Sequence, residues 1–179
     1  IKQSKVHKPI QLIGAGISGN KVYDLYLRLE TDVLDKKPDI VFIYIGINDV
    51  WHKKSLGTGT DQDKYEKFYR AIINRLKAKN IKVILCTPTV IGEKKDNSNE
   101  QDTDLNAYSN VIRNLSKEFS LPLCDLRKTF TEYLQMHNSS NKEKGILTTD
   151  GVHLNGTGNL VVADEMWKVL QKLLSLYKK

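Results

Sequence analysis

Four short apolar runs, separated by segments with helical periodicity, constrain the fold of this chain more than any other feature. The runs cover residues 9–13, 40–45, 83–87 and 121–126, and the run at 40–45 is continuous. Continuous apolar runs of this length are typical of strands buried on both faces of a parallel sheet. Strands that alternate with helices predict an α/β fold, here a three-layer α/β/α sandwich around a parallel sheet.

The segments between the runs place apolar residues at helical spacing. Polar loops are predicted at residues 53–60 and 93–102, and no repeat or linker divides the chain. We therefore expect residues 1–179 to form a single domain. The predicted helices cover residues 21–34, the segment from about 61 to 79, the segment around 105–115, and residues 157–176.

Charge and composition argue against two classes of function. The 28 Lys and Arg residues against 21 Asp and Glu residues give a net charge of +7, but the basic residues are scattered along helix faces. This distribution predicts no nucleic-acid partner. No apolar run approaches the length of a transmembrane segment. Cys86 and Cys124 both lie in apolar runs, which indicates buried thiols, and the compartment and oligomeric state stay open.

Two short polar motifs carry groups suited to acyl-transfer chemistry. Residues 46–49 (Gly-Ile-Asn-Asp) end the run at 40–45, where the Asn48 amide can donate a hydrogen bond to an oxyanion. Asp150 precedes His153 by three residues in a polar loop. Its carboxylate can therefore bind the imidazole Nδ1–H and leave Nε2 free to accept a proton.

A second pair with the same spacing, Asp49 and His52, means that spacing alone does not choose the catalytic pair. We interpret Asp49 as a structural carboxylate, because it directly follows Asn48. His52 lies beside Trp51 and two lysines and is interpreted as a residue of a pocket rim or of the solvent-exposed surface. Neither pair has further ligands at metal-binding spacing, so we expect no metal and no cofactor.

Residues 14–19 contain the pattern Gly-x-Gly-x-x-Gly between a predicted strand and a predicted helix. A dinucleotide site of this kind also needs an acidic residue at the end of the next strand, about 20 residues on. Here the next predicted strand covers residues 40–45, and the acidic residue after it, Asp49, lies 30 residues after Gly19, so dinucleotide binding is only a minor alternative. Ser18 lacks the Gly-x-Ser-x-Gly spacing of a nucleophile elbow, and we interpret this segment as a tight turn in which Ser18 or Asn20 caps the helix from Lys21.

Taken in order, residues 16–20, 46–49 and 150–154 resemble three of the four signature blocks of the SGNH (GDSL-like) hydrolases. The resemblance covers essentially the whole chain, from the first predicted strand to the closing helix. It implies a flavodoxin-like sheet with the strand order 2-1-3-4-5.

The resemblance also implies a role for four residues of this chain. The Gly19 N–H and the Asn48 amide would be oxyanion donors, His153 would be the general base, and Asp150 would orient it. The remaining block of the family, Gly-Asp-Ser, supplies the nucleophile and occurs nowhere in the 179 residues.

In the implied strand order, the strand that carries this serine lies beside the run at residues 40–45. Without it, backbone donors and acceptors of that run would be left unpaired in the interior, each at a cost of about 1–3 kcal/mol. We therefore expect a strand, a serine-bearing turn and part of a helix, roughly 25 residues, to belong to the domain in addition to this sequence. A partner chain is the alternative source of that strand.

Two functions are compatible with these motifs. The first is a serine esterase that hydrolyses short-acyl, acetyl-type esters through an acyl-enzyme, with a small-molecule or carbohydrate substrate. Trp51, three residues after Asn48, suggests an aromatic wall at the pocket mouth, and no apolar lid of a long-chain lipase is visible. The alternative is a non-catalytic binding module of the same fold that lacks the serine.

Overall fold

A parallel sheet of three short strands is the middle layer of the structure, a computed structural model that describes residues 10–176. Helices cover both faces of this sheet, as expected for strands with apolar residues on both sides. The elements in chain order are α1 (Val22–Leu27), α2 (Leu29–Asp32), a 3₁₀ turn (Leu34–Lys36), β1 (Ile40–Tyr44), α3 (Ile47–Ser55), α4 (Gln62–Ala78), β2 (Lys82–Cys86), α5 (Asp102–Phe119), β3 (Leu123–Cys124), α6 (Leu126–His137) and α7 (Gly156–Leu176).

The strands lie in the order β1-β2-β3 and all pair in parallel. Ile40 to Tyr44 of β1 pair with Lys82 to Cys86 of β2, and Cys86 in turn pairs with Cys124 of β3. The strands β1, β2 and β3 correspond to strands 3, 4 and 5 of the implied order 2-1-3-4-5. The predicted α/β class with a parallel sheet is therefore confirmed.

Alternate residues of β2 divide the core into two layers. Val83 and Leu85 are buried against the helices α1, α4 and α5 on one face of the sheet. Ile84 and Cys86 point to the other face, where they pack with residues of α6 and α7. Because successive side chains of a strand point to opposite faces, the single apolar run of β2 packs against helices on both sides of the sheet.

Two predicted strands differ from those in the structure. Residues 10–13 have no regular secondary structure, and Leu12 is 86% exposed; Pro9, the first residue of that predicted strand, lies outside the described residues. Within the described part of the chain this segment has no neighbouring strand to pair with. The last predicted strand, at residues 121–126, shortens to the two residues of β3 because α6 already begins at Leu126.

The helix boundaries differ in two further places. The helix predicted over residues 21–34 is divided into α1, α2 and the 3₁₀ turn, with a break at Arg28, where φ is −100° and ψ is 8°. The loop predicted at residues 53–60 begins later, because α3 continues to Ser55. None of the helices within residues 10–176 combines the length and the apolar character needed to cross a bilayer.

Along its other edge, β1 borders an open groove of about 1180 Å³. Residues 10–13 and 15–20 also line this groove, as do Leu170 and Leu174 of α7. Among residues 10–176, β2 is the one strand that pairs with β1, so one edge of β1 faces the groove. We call this cavity the β1 groove.

Gly46, in the turn between β1 and α3, is expected to be essential for stability. Its φ is +136°, and an added Cβ would lie 2.7 Å from the Tyr65 Oη, which donates a hydrogen bond to the Ile45 carbonyl. Gly46→Ala should lower the free energy of unfolding by about 1–3 kcal/mol in urea titrations, because both the backbone and Tyr65 would have to shift. Gly57→Ala is the matched control, since Gly57 has φ +67° with open space around it. An equal loss in both variants would contradict this explanation.

Candidate active site

Asp150 and His153 form a hydrogen-bonded pair in the loop before α7. The Asp150 Oδ2 lies 2.7 Å from the His153 Nδ1. The other carboxylate oxygen accepts hydrogen bonds from the backbone N–H groups of Val152 (3.0 Å) and His153 (2.8 Å). One carboxylate therefore holds both the backbone turn and the imidazole ring.

The pair is open to solvent, with 50% of the Asp150 side chain and 61% of the His153 side chain exposed. The hydrogen bond from His153, together with the two backbone N–H donors, holds the pKa of the Asp150 carboxyl well below its usual range. The carboxylate consequently stays ionised at neutral pH. With Nδ1 bonded to Asp150, the imidazole has Nε2 available as a proton acceptor.

A second layer of hydrogen bonds fixes the loop that carries this pair. The Thr149 N–H donates to the His153 carbonyl at 2.8 Å, and Thr148 forms an antiparallel bridge with Leu154. The Asn155 side chain accepts from the Gly158 N–H at 3.0 Å, at the start of α7. The backbone on the two sides of the turn at residues 150–153 is therefore paired, at Thr148 with Leu154 and at Thr149 with His153.

The buried Glu93 is a part of this site that sequence reasoning missed. It lies in the loop after β2, its side chain is 0% exposed, and its carboxylate accepts hydrogen bonds from residues 146–148. The sequence placed Glu93 at the start of a polar loop, and a single acidic residue in such a loop carries no periodic signal. The burial of Glu93 depends on its contact with residues 146–148, which are distant in the sequence.

The loop after β2 and the segment after α6 are joined along their length. The Gly92 N–H donates to the Gly151 carbonyl at 2.8 Å, and the Glu93 N–H donates to the Glu143 carbonyl at 2.9 Å. Further along, the Lys95 N–H donates to the Asn141 side chain at 2.8 Å. We call these two segments, residues 91–96 and 138–153, the paired loops.

Asn48 lies in the first turn of α3, where its side-chain amide donates to the Asn20 carbonyl at 3.0 Å. Asn20 is itself held by the Arg28 Nε, which donates to its side-chain oxygen at 2.8 Å. Gly19, one residue earlier, has φ +79°, a conformation that favours glycine. The loop before α1 and the first turn of α3 are therefore connected directly.

Four of the five predicted site residues line the β1 groove: Gly19, Asn48, Trp51 and His153. Asp150, the fifth, lies behind His153 and lines a separate, largely polar pocket of about 410 Å³. Trp51 borders both cavities, and its ring meets the His153 ring edge-on, with centroids 5.7 Å apart. The structure thus brings together groups that are more than 100 residues apart in the chain.

The second Asp-x-x-His pair has a different arrangement. The Asp49 carboxylate is buried and accepts from the Val22 N–H at the start of α1, at 3.2 and 3.3 Å to its two oxygens. Asp49 is therefore a structural carboxylate. His52 is 8% exposed, and its Nδ1 has no hydrogen-bond partner among the described residues. Burial and the nearby Lys21 lower the pKa of His52.

Within residues 10–176, no three His, Cys, Asp or Glu side chains gather in a way that could hold a metal ion.

Comparison with known proteins identifies the family. The sequence model of the GDSL-like Lipase/Acylhydrolase family matches residues 3–161. The chain belongs to this family. The resemblance seen in the three signature blocks is thereby confirmed.

Relatives of this GDSL-like chain include acetylxylan esterases. The solved structure of the acetyl xylan esterase AlAXEase is 61% identical and superposes with a TM-score of 0.87, over 88% of this chain and 80% of the other. The acetylxylan esterase of Geobacillus stearothermophilus is 33% identical over 161 residues, which are 86% of this chain and 69% of the relative. Its crystal structure superposes with a TM-score of 0.75.

A third relative is the uncharacterized lipoprotein YqeF of Bacillus subtilis (strain 168), 27% identical over 86% of this chain and 70% of the relative. The family and these relatives confirm the predicted enzyme class, a carboxylic ester hydrolase.

Asp49 should make the stability of this GDSL-like domain depend on pH. Burial raises the pKa of Asp49 to about 6, against about 3.9 in an unfolded chain. A raised carboxyl pKa contributes stability that is fully present below the unfolded value and is lost as pH rises through the folded value. Between pH 4 and pH 7, wild type should therefore lose up to about 3 kcal/mol of unfolding free energy relative to Asp49→Asn.

Urea titrations of both proteins at several pH values measure this difference. Asp49→Asn keeps an oxygen that can accept from the Val22 N–H, so the variant should fold. A difference in stability that does not change with pH would show that Asp49 is not the titrating group.

Proposed function

We propose that this protein is a serine esterase that removes acetyl groups from carbohydrate substrates. His153 is the general base, Asp150 orients and stabilises its imidazole, and Asn48 and Gly19 donate hydrogen bonds to the oxyanion. The observation that carries the proposal is the 2.7 Å contact between the Asp150 carboxylate and the His153 Nδ1, in a family of ester hydrolases.

The position of Asn48 supports its role as an oxyanion donor. A side-chain amide has two N–H bonds, and the bond to the Asn20 carbonyl uses one of them. This contact fixes the plane of the amide and leaves the second N–H for a ligand in the β1 groove. A donor fixed before the reaction stabilises the developing charge without reorganising, which is the main advantage of an oxyanion hole.

The nucleophile is proposed to be a serine on a strand that pairs with the edge of β1 along the β1 groove. Two observations support this placement: β1 has one edge along the β1 groove, and the groove brings together His153, Asn48 and Gly19. No Gly-Asp-Ser block occurs among the 179 residues, and we propose that the serine lies on a segment additional to this sequence. A strand at this edge would also pair the backbone groups of β1.

The mechanism follows from these positions. The serine Oγ attacks the acetyl carbonyl while its proton passes to the His153 Nε2, and the oxyanion forms between Asn48 and Gly19. His153 then gives the proton to the departing sugar oxygen as its bond to the acetyl carbon breaks, which releases the sugar hydroxyl and leaves the acetyl-enzyme. Water, deprotonated by the same imidazole, attacks the acetyl-enzyme and releases acetate and the free serine. Asp150 stays ionised throughout, in keeping with its depressed pKa.

The relatives support both the mechanism and the substrate. Two of them are named acetylxylan esterases, and structures of the Geobacillus enzyme include catalytic mutants that replace a serine, an aspartate and a histidine by alanine. In that enzyme the aspartate precedes the histidine by three positions, the spacing of Asp150 and His153. We propose the same substrate class, acetylated xylan or its oligosaccharides, for this protein.

Labelling with a fluorophosphonate, followed by peptide mapping, tests the proposed function. The intact protein should acquire one adduct, on a serine outside the 179 residues, and His153→Ala should label at least about 10³-fold more slowly because the base is lost. His52→Ala should label normally. An adduct on Ser18 would replace the proposed nucleophile. No adduct on intact wild type would favour the non-catalytic binding module, and an equal loss in His52→Ala would overturn the choice of His153.

Trp51 should determine how well a sugar is held. It lies between the β1 groove and the polar pocket, where its ring can pack against a pyranose ring while polar groups of the pocket bind hydroxyls. Trp51→Ala should raise KM for acetylated xylo-oligosaccharides about tenfold, and raise KM for 4-nitrophenyl acetate much less. Equal effects on the two substrates would show that Trp51 acts on the acyl side or on His153.

A further inference from the structure

The buried Glu93 accepts more hydrogen bonds than any other carboxylate near the site. Its Oε2 accepts from the Ile146 N–H at 2.7 Å. Its Oε1 accepts from the Leu147 N–H at 2.7 Å, from the Thr148 N–H at 2.5 Å and from the Thr148 Oγ1 at 2.6 Å. Four donors from three consecutive residues thus converge on one side chain that has no exposure to solvent.

Thr148 connects this carboxylate to the exposed turn. Its hydroxyl donates to Glu93 and, with a free lone pair, accepts the Gly151 N–H at 3.1 Å. Gly151 follows Asp150 directly, and its φ of +100° is a conformation that favours glycine. A hydroxyl has a single proton, so donation to Glu93 leaves only the acceptor function for Gly151.

We infer that Glu93 and Thr148 are positioning residues that set the geometry of the Asp150–His153 pair through the backbone that carries it. This inference rests on the proposed function. The pair itself is about half exposed, so few packing contacts restrain it. Besides the edge-on contact with Trp51, its orientation depends on the backbone at residues 148–151, and Glu93 is the buried group that binds this backbone at Thr148. A misplacement of the base by about 1 Å can cost on the order of 100-fold in rate.

Substitutions at Thr148 separate positioning from general stability. Thr148→Val keeps the shape of the side chain but removes the hydroxyl that connects Glu93 with Gly151, whereas Thr148→Ser retains it. In the intact enzyme, Thr148→Val should lower kcat for 4-nitrophenyl acetate by about 10- to 100-fold with little change in KM. Thr148→Ser should remain within about twofold of wild type. Glu93→Gln, which places an amide donor against backbone donors, should resemble Thr148→Val.

Asp125→Asn is the control for the loss of a partly buried carboxylate elsewhere. Asp125 accepts from the Thr87 Oγ1 and from Arg113, both of which lie outside the paired loops. This variant should lower Tm while kcat stays at the wild-type value.

Proton NMR of the imidazole Nδ1–H supplies a readout that does not need turnover. A proton in the short bond between His153 and Asp150 should resonate far downfield, and Thr148→Val should broaden or shift this signal while Thr148→Ser preserves it. Folded Thr148→Val with wild-type kcat and an unchanged signal would overturn the inference, even if Glu93→Gln failed to fold. If wild type itself proved inactive, the proposed function would fail, while the NMR comparison would still decide whether Glu93 and Thr148 position the pair.

Discussion

The parallel pairing of β1 with β2 is the constraint on which the rest of the structure depends. Five consecutive residue pairs align the two strands, so the chain leaves both at the same edge of the sheet. Asn48 follows β1 within one turn, and Glu93 follows β2 in its loop. In open α/β sheets, ligands bind at this edge because loops from several strands converge there. The location of the candidate site therefore follows from the parallel direction of the strands.

The two Asp-x-x-His pairs show how backbone geometry assigns different roles to the same letters. In α3, the Asp49 carboxylate contacts the start of α1, and its pKa rises with burial. In the turn before α7, Asp150 folds back on its own backbone and on His153, and its pKa falls because donors surround it. The Asp49 carboxylate connects α3 with α1 through a hydrogen bond, whereas the Asp150 carboxylate binds the imidazole of His153.

The sequence predicted the parallel sheet because apolar runs leave a local signal, and it pointed to the candidate site through short motifs. Apolar runs identified β1 and β2, and short motifs identified Asn48, Asp150 and His153. The strand prediction was wrong for the described residues 10–13, since strand formation depends on a neighbour that the local pattern does not report. Glu93 was missed for a related reason: its four donors come from a segment more than 50 residues away. Local patterns predict elements, whereas long-range polar contacts require the folded chain.

The paired loops also affect how enzymes of this fold can be recombined. Each of the two segments satisfies hydrogen-bonding groups of the other, from the Gly92–Gly151 contact to the contact between Lys95 and Asn141. A chimaera that exchanged only one of them with a relative would leave buried polar groups of the other without partners. The two loops should therefore be exchanged together when segments around the site are transferred between relatives.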